Sequence, residues 1–280
     1  MKIVVLGGTG LIGSRLVALL RERGHDVVAA SPSTGVNAVS GAGLPDALTG
    51  ASVVADVSNS PSLEKEAALA FFEASSRNLL PAAVAAGVRH HVCLSAIGTN
   101  RLPESGYFRA KMFQENTVRT SDLPYTIVRS APFYEYLNSI MEGGSDGEVL
   151  RISSAQVQPV AGDDVARALL DIVLSDPQNT EVEIAGPDRF RLTDLAQQIL
   201  TANWDPRMVV ADLQALYFGA ILRDDTLIPG GHPRYAPTRF DDWLRLYVAG
   251  PLSDGIIATP MNRQAAIANM EPVPPFDDLQ

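Results

Sequence analysis

The sequence holds a single cysteine, Cys93, and only four histidines in 280 residues. One cysteine excludes an internal disulfide framework, and the paired spacings of cysteine-based metal sites are absent. Cys93 lies in the apolar run His91-Val92-Cys93-Leu94 and is expected to be buried and inert. His25, His90, His91 and His232 show no ligand spacing, so no metal is expected, and His90-His91 at a strand start read as packing or surface residues. Basic side chains are outnumbered 22 to 32 by acidic ones, for a formal charge of -10, and the sequence pI is near 4.8. With the few cations scattered, no surface suits a phosphate backbone, and a nucleic-acid partner is not expected. Long hydrophobic runs are missing too. Met1-Lys2-Ile3-Val4-Val5-Leu6 is too short for a signal peptide or a span, and every later apolar stretch is broken by charge, glycine or proline. The chain therefore reads as cytoplasmic, made in a reducing compartment and without a membrane partner.

What is present is an ordinary globular composition, 46% hydrophobic and 19% charged. The length allows one large α/β body with a smaller cap. Apolar, strand-like runs at 2–6, 25–30, 51–57, 90–95 and 125–129 alternate with helical patterns at 11–23, 64–86 and 107–120. Strands apolar on both faces, alternating with helices, predict a doubly wound parallel sheet flanked by helices. Between Thr34 and Thr49 the glycines leave room for a short strand near Val36 to Val39 and a helix near Leu44 to Leu48. Pro81 should kink or split the helix around Leu79 to Val84. Further strands are expected near 148–152 and 182–185, with a Gly/Ser turn at 143–147 before the first. The helix from Asp163-Asp164-Val165 is expected to carry its own carboxylate N-cap, and the helix of 193–202 to be capped by the Thr193 hydroxyl.

The boundaries follow from this pattern. Residues 1–130 form the body and 149–185 return to it; 131–148 and 186–250 form a small C-terminal substrate-binding region; 251–280 are a proline-rich arm. No internal repeat is evident, and a homo-oligomer is allowed.

The strongest local signal is Gly7-Gly8-Thr9-Gly10-Leu11-Ile12-Gly13, between the first strand and the first helix. In that context Gly7 allows a tight turn, Gly10 lets backbone approach a pyrophosphate, and Gly13 lets the helix pack on the sheet. The helix N-terminus then offers free N–H groups and partial positive charge to phosphates. An Asp or Glu at the end of the second strand would hold ribose hydroxyls, but that stretch is Ala30-Ser31-Pro32-Ser33-Thr34. Nothing there repels a 2′-phosphate, and Ser31, Ser33 and Thr34 can donate to one. The only nearby cation is Arg15. These features favour NADP over NAD.

A second constellation is Tyr107-Phe108-Arg109-Ala110-Lys111, with Ser95 upstream at the end of an apolar strand. On a helix Tyr107 and Lys111 share a face. An ammonium ~4 Å from the phenol, at an effective dielectric of ~20, supplies on the order of 4 kcal/mol, enough to bring the phenol into a useful range. Ser95 would hydrogen-bond a substrate oxygen. Tyr and Lys at this spacing are also common on exposed helices, and the glycine turn upstream is what gives the pair weight.

Together these segments resemble the short-chain dehydrogenase/reductase superfamily, in particular its atypical, NmrA-like branch. Also carrying the resemblance are Val57-Ser58-Asn59-Ser60 after the expected fourth strand, Leu94-Ser95-Ala96-Ile97-Gly98, Val128-Arg129-Ser130-Ala131-Pro132 and Pro159-Val160-Ala161-Gly162-Asp163-Asp164-Val165-Ala166. The resemblance covers about residues 1–200. It implies a Rossmann fold, Tyr107 as general acid/base, Lys111 also holding the nicotinamide ribose, and Ser130 to Phe133 touching the nicotinamide. The expected catalytic set is Ser95, Tyr107 and Lys111. The expected cofactor-binding set is Gly7, Thr9, Gly10, Leu11, Ile12, Gly13, Arg15, Ser31, Ser33, Ser58, Asn59, Ser60, Ser95, Lys111, Ser130, Ala131 and Phe133. Arg129 should pair with a carboxylate in the body. Phe133, Tyr134, Tyr136, Leu137, Ile140 and Met141, completed by Tyr217 and Phe218, are either a substrate pocket or core.

The activity expected is NAD(P)H-dependent reduction of a hydrophobic or aromatic carbonyl or quinone-like small molecule by hydride transfer. Two alternatives stand beside it: a non-catalytic NADP-sensing regulatory protein, which some members of the branch that have lost the tyrosine resemble, and an NAD(P)-dependent epimerase or isomerase.

Overall fold

Alternation of buried strand and amphipathic helix runs through the computed structural model, which describes residues 1–142 and 147–249. Residues 143–146 of the turn expected at 143–147, the side chain of Met141 and the proline-rich arm lie outside the described residues. In order the body comprises β1 (Lys2–Leu6), α1 (Leu11–Glu22), β2 (Asp26–Ala30), α2 (Leu44–Leu48), β3 (Ala51–Asp56), α3 (Lys65–Ala85), β4 (His90–Ala96), α4 (Gly106–Arg119) and β5 (Tyr125–Ser130). There follow α5 (Leu137–Glu142), β6 (Val149–Ile152), β7 (Gln156–Val157), α6 (Gly162–Val173), β8 (Glu181–Ala185), β9 (Phe190–Arg191) and α7 (Leu192–Ala202). Last come β10 (Met208–Ala211), β11 (Leu216–Tyr217), β12 (Ala220–Ile221), β13 (Arg234–Tyr235) and α8 (Phe240–Ala249).

Seven strands form one parallel sheet in the order β13-β8-β5-β4-β3-β1-β2. The order reverses at β1, which opens a crevice beyond the carboxyl ends of β1 and β3, where such sheets bind ligands. The helices cover both faces. On one, α1 buries Ile12, Leu16, Val17 and Leu20 against the Val165, Leu169 and Ile172 face of α6. Each such side chain is worth about 1.5–3 kcal/mol of burial. On the other, Leu48, Leu79, Ala83 and Val118 from α2, α3 and α4 cover Val4, Val54 and Ile127. A separate apolar cluster, including Phe108, Leu150, Leu195, Ile199 and Phe240, holds the C-terminal region on α4. Arg234 and Tyr235, inside the span expected to form that region, instead extend the main sheet along β8.

Several local expectations are corrected. No strand forms at Val36 to Val39, so Val57 to Ser60 follow the third strand of the chain, not a fourth. Gly35, Gly41 and Gly43 take positive φ, Asn37 N–H donates to Ala42 O, and Val36 and Ala38 pack inward from a turn. Pro81 neither splits α3 into two helices nor ends it. It and Arg77, whose carbonyl loses its helical donor, both lie on the exposed side, where water can satisfy the oxygen. The N-terminus of α6 is not capped by its own aspartates. Glu135 reaches across to accept the Gly162 N–H at 3.1 Å, leaving Asp163 to pair with Arg15. Thr193 is likewise inside α7, whose N-cap is Arg191 without a side-chain bond.

Candidate cofactor and active site

The turn after β1 is built so tightly that three of its glycines are dictated by protein packing alone. Gly7 has φ +78°, and a Cβ there would sit 2.8 Å from Ser58 N in the loop after β3. A Cβ on Gly8 would meet Ala29 Cα at 2.8 Å, and one on Gly13 would lie 2.0 Å from Gly7 O. Gly10 differs: the nearest atom to its Cβ would be Gly7 O at 3.4 Å, so no close protein contact demands glycine. Gly10 is exposed and forms the N-cap of α1, which has no side-chain cap and no acid in its first turn. A turn held closed from behind, with free N–H groups of Leu11, Ile12 and Gly13 at its front, fits a dinucleotide pyrophosphate.

At the end of β2, hydroxyls replace the carboxylate. Ser31 Oγ lies 2.8 Å from Ser33 Oγ and 3.3 Å from Thr34 Oγ1, and Ser31 N–H donates to Thr34 Oγ1 at 2.9 Å. Ser31 is buried while Ser33 is exposed. Arg15, the one nearby cation expected here, is engaged by the protein's own groups. Its guanidinium pairs with Asp163 and Glu135 and donates to Leu11 O at 2.8 Å, which turns it toward α6.

The loop after β3 is anchored from below. The buried Asp56 carboxylate accepts Ser58 N–H at 3.0 Å and Ser58 Oγ–H at 2.6 Å on one oxygen, and Gln114 Nε2–H at 3.0 Å on the other. Ser60 Oγ accepts from Ser62 N–H at 3.3 Å. Asn59 faces α4, where its Oδ1 accepts the Tyr107 hydroxyl at 3.0 Å.

Tyr107, Lys111 and Ser95 are neighbours along the fold, but their polar atoms are engaged separately. Lys111 carries its stem inward over the Phe72 ring, 4.6 Å from Nζ, and its ammonium donates to Leu94 O at 2.8 Å and Gln114 Oε1 at 2.5 Å. Burial lowers its pKa. Ser95 Oγ donates to Glu115 Oε1 at 2.6 Å. Glu115, fully buried, also accepts from Arg129 Nε at 2.9 Å, Arg129 Nη2 at 2.6 Å and Arg119 Nη2 at 2.7 Å. Burial opposes the charge on Glu115, but the Arg129 and Ser95 hydrogen bonds outweigh it and hold the carboxyl below its ordinary value. The expected carboxylate partner of Arg129 is thus Glu115. The expectation that Lys111 lowers the Tyr107 pKa is not what the geometry gives. Burial pushes the phenol up to about 12, against the Asn59 hydrogen bond and with the Tyr136 hydroxyl adding to the rise.

Aromatic side chains close the site. The Tyr107 ring lies 5.4 Å from that of Phe218, at the tip of the β11–β12 hairpin. Phe218 has φ +50° and Gly219 φ +79°, the type I′ pattern. A phenylalanine there costs about 1–2 kcal/mol. The Phe133 ring lies 5.8 Å from Tyr136. Ser130 Oγ donates to Ala131 O at 2.9 Å and Ala131 N–H to Ile184 O at 2.8 Å, so this segment presents backbone fixed by the sheet. Tyr134 and Leu137 belong to the core: Tyr134 is 1% exposed and donates to Thr238 O at 3.1 Å. Ile140 lines only a cavity of about 20 Å³ with Arg151, Leu192 and Tyr217. A cleft of about 440 Å³ lined by Arg129, Glu181, Glu183, His232 and Arg234 lies on the β8–β13 side, four strands from the glycine turn.

Glu115, Gln114, Asp56 and the tip position of Phe218 were not picked out from sequence. One signal was available: Glu115 is the only acid on α4, four residues after Lys111 and on a side with Val118 that must be buried.

A parallel sheet with its glycine turn at the β1 switch point and an uncapped α1 N-terminus defines a dinucleotide-binding Rossmann fold. The sequence model of a family described as NAD(P)H-binding matches residues 7–176, more than half of the chain, and the protein belongs to that family. A search of curated proteins finds no match. Among solved structures, a short-chain dehydrogenase/reductase superfamily protein from Agrobacterium tumefaciens with bound NAD is 17% identical, with TM-score 0.65 over 97% of this chain and 100% of that one. Thermus thermophilus UDP-glucose 4-epimerase in complex with NAD is 17% identical, with TM-score 0.65 over 89% of this chain and 98% of that one. A dTDP-4-dehydrorhamnose reductase from Bacillus anthracis in complex with NADP is 13% identical, with TM-score 0.59 over 88% and 92%. At these identities the likeness establishes the fold. No helix among the described residues is long and apolar enough to cross a membrane.

Proposed function

We propose that the protein is an NADPH-dependent reductase of a hydrophobic, aromatic or quinone-like carbonyl compound, with Tyr107 as proton donor. The observation that carries this reading is the Tyr107 hydroxyl. It is held by Asn59 just beyond the carboxyl end of β3, with Phe218 against its ring and the Tyr136 and Tyr217 phenols close enough to couple to it. A phenol raised to about 12 keeps its proton through neutral pH. It yields that proton only to a stronger base, such as the alkoxide that forms as a carbonyl is reduced. At pH ~7 only about one phenol in 10⁵ would be ionised, so the group stands as an acid.

The Gly7–Gly13 turn and the α1 N-terminus would hold the pyrophosphate, Ser31, Ser33 and Thr34 the adenosine side, and Ser58 to Ser60 with Ser130 to Phe133 the remainder. The bound nicotinamide would supply the hydride. The hydroxyl cluster and the absent carboxylate after β2 support NADP over NAD. Lys111 ties α4 to β4 through Leu94 O, and Ser95 ties β4 to α4 through Glu115. In this reading both position Tyr107, and neither touches the reacting atoms in the arrangement described.

The test is NADPH and NADH consumption with a panel of aryl ketones and quinones. Consumption of NADPH with at least one of them is expected. Tight NADP binding without turnover of any would overturn the reductase reading. It would favour a cofactor-sensing protein, a second reading supported by the engagement of Ser95 with Glu115 and the burial of the Lys111 ammonium.

A further inference from the structure

The β11–β12 hairpin spends unfavourable backbone geometry on placing one ring. Its two-residue turn requires positive φ at both central positions, a conformation suited to Asn-Gly, and the first is instead Phe218 at φ +50°. The hairpin is anchored from within by Tyr217 and Ala220, buried in the same apolar cluster as Phe108, and is open only at its tip and outer side. Each strand has two residues, they pair only with each other among the described residues, and their outer residues Leu216 and Ile221 are exposed. Tyr217 is the inward anchor, with its ring 6.1 Å from Phe108. Phe218, half-buried, lies at 31° to the Tyr107 ring and edge-on to Phe108, with centroids 5.4 and 5.8 Å away. The rings of Tyr107 and Phe108 thus make an aromatic slot whose present occupant is the chain's own phenylalanine. At these separations no second ring fits between Phe218 and Tyr107.

The geometry points to Phe218 as the specificity-determining residue. It fills an aryl-binding slot on Tyr107 and Phe108, and the ring of a flat aromatic carbonyl substrate takes that slot when the half-buried Phe218 side chain turns aside. The slot's all-aromatic walls select a planar ring over an aliphatic or sugar-like substrate. This rests on the reading of Tyr107 as the proton donor, because the slot is defined by its ring.

Binding of naphthoquinone, followed by quenching of protein fluorescence in the full-length protein with NADP present, tests the inference without requiring turnover. Phe218→Gly removes the competing ring and its strain. Phe218→Asn removes the ring and keeps a residue suited to the turn, so a folding defect in either variant leaves the other informative. Both are expected to bind naphthoquinone roughly two- to tenfold more tightly than the unaltered protein, and Phe218→Trp more weakly. Equal or weaker binding by the glycine and asparagine variants would overturn the inference. Tighter binding without NADPH consumption would keep the slot and remove the reductase reading. Consumption with unchanged binding would do the reverse.

Discussion

Replacing Ser33 with aspartate puts the cofactor preference to a quantitative test. Ser33 is exposed and 2.8 Å from Ser31 Oγ, in the hydroxyl cluster after β2. A carboxylate there would face a 2′-phosphate carrying about -1.5 to -2 charges. At a separation of about 5 Å in a water-like dielectric of ~80, each pair of unit charges repels by about 0.8 kcal/mol. Two such charges, screened at about 0.1 M salt, give roughly 1 kcal/mol. Loss of the hydroxyl donor adds about 1 kcal/mol. The total of about 2 kcal/mol is a roughly 30-fold loss of NADPH affinity. NADH has no 2′-phosphate and instead gains a carboxylate acceptor for its ribose, so its affinity should hold or rise. Calorimetric titration with both cofactors reads the difference. Repeating it at about 1 M salt, where the Debye length is near 3 Å, should recover most of the electrostatic part. Equal losses for the two cofactors, or an unaltered protein that already prefers NADH, would refute the reasoning.

Four further outcomes follow from the same contacts. Gly13→Ala drives a Cβ into Gly7 O and should cost about 1–3 kcal/mol of stability. Gly10→Ala has a nearest atom 3.4 Å away and should keep its stability while NADPH affinity falls; urea unfolding beside cofactor titration separates the two. Glu115→Ala leaves Arg129, 9% exposed, without its partner and should destabilise by about 3–5 kcal/mol in urea unfolding. Burial lowers the His90 pKa from 6.5 to about 4, so the folded state favours the neutral ring. Its contribution is complete above pH 6.5 and is lost as pH falls toward 4. From about pH 7.5 to about pH 5 the loss is roughly 2 kcal/mol, with His91, also lowered by burial, adding in the same direction. A His90 resonance that titrates near its ordinary value would contradict this.

The body was legible because burial on both faces makes β1, β3, β4 and β5 continuous apolar runs, and because α1 and α6 show a helical period against them. Even α2 could be placed, between Gly43 and Gly50 with Pro45 in its first turn. What failed was local and contextual. The Val36–Val39 run has strand-like residues, but three glycines at positive φ take the chain out of the extended region. Asp163 and Thr193 have the right chemistry for caps, yet a cap depends on where the helix begins, and Glu135 reaches α6 from a distant segment. β13 adds only two residues to the sheet, too few to carry a pattern. At the site, the Tyr107–Lys111 spacing correctly gives one helix but not the direction of each side chain. Lys111 turns inward because Leu94 O, Gln114 and the Phe72 ring give a buried ammonium partners there. Glu115 was invisible as Ser95's acceptor, since nothing in the sequence joins a strand end to a helix third turn.

The central claim, that the Tyr107 phenol delivers the proton in reduction, is tested most directly by single-turnover NADPH oxidation followed against pH, with and without Tyr107→Phe. With a group raised to about 12, the rate of the unaltered protein should stay level from neutral pH to about pH 10. Tyr107→Phe should lower it by about 10²–10⁴ while leaving NADPH affinity within a few-fold. A phenylalanine variant that turns over at the full rate would contradict the account.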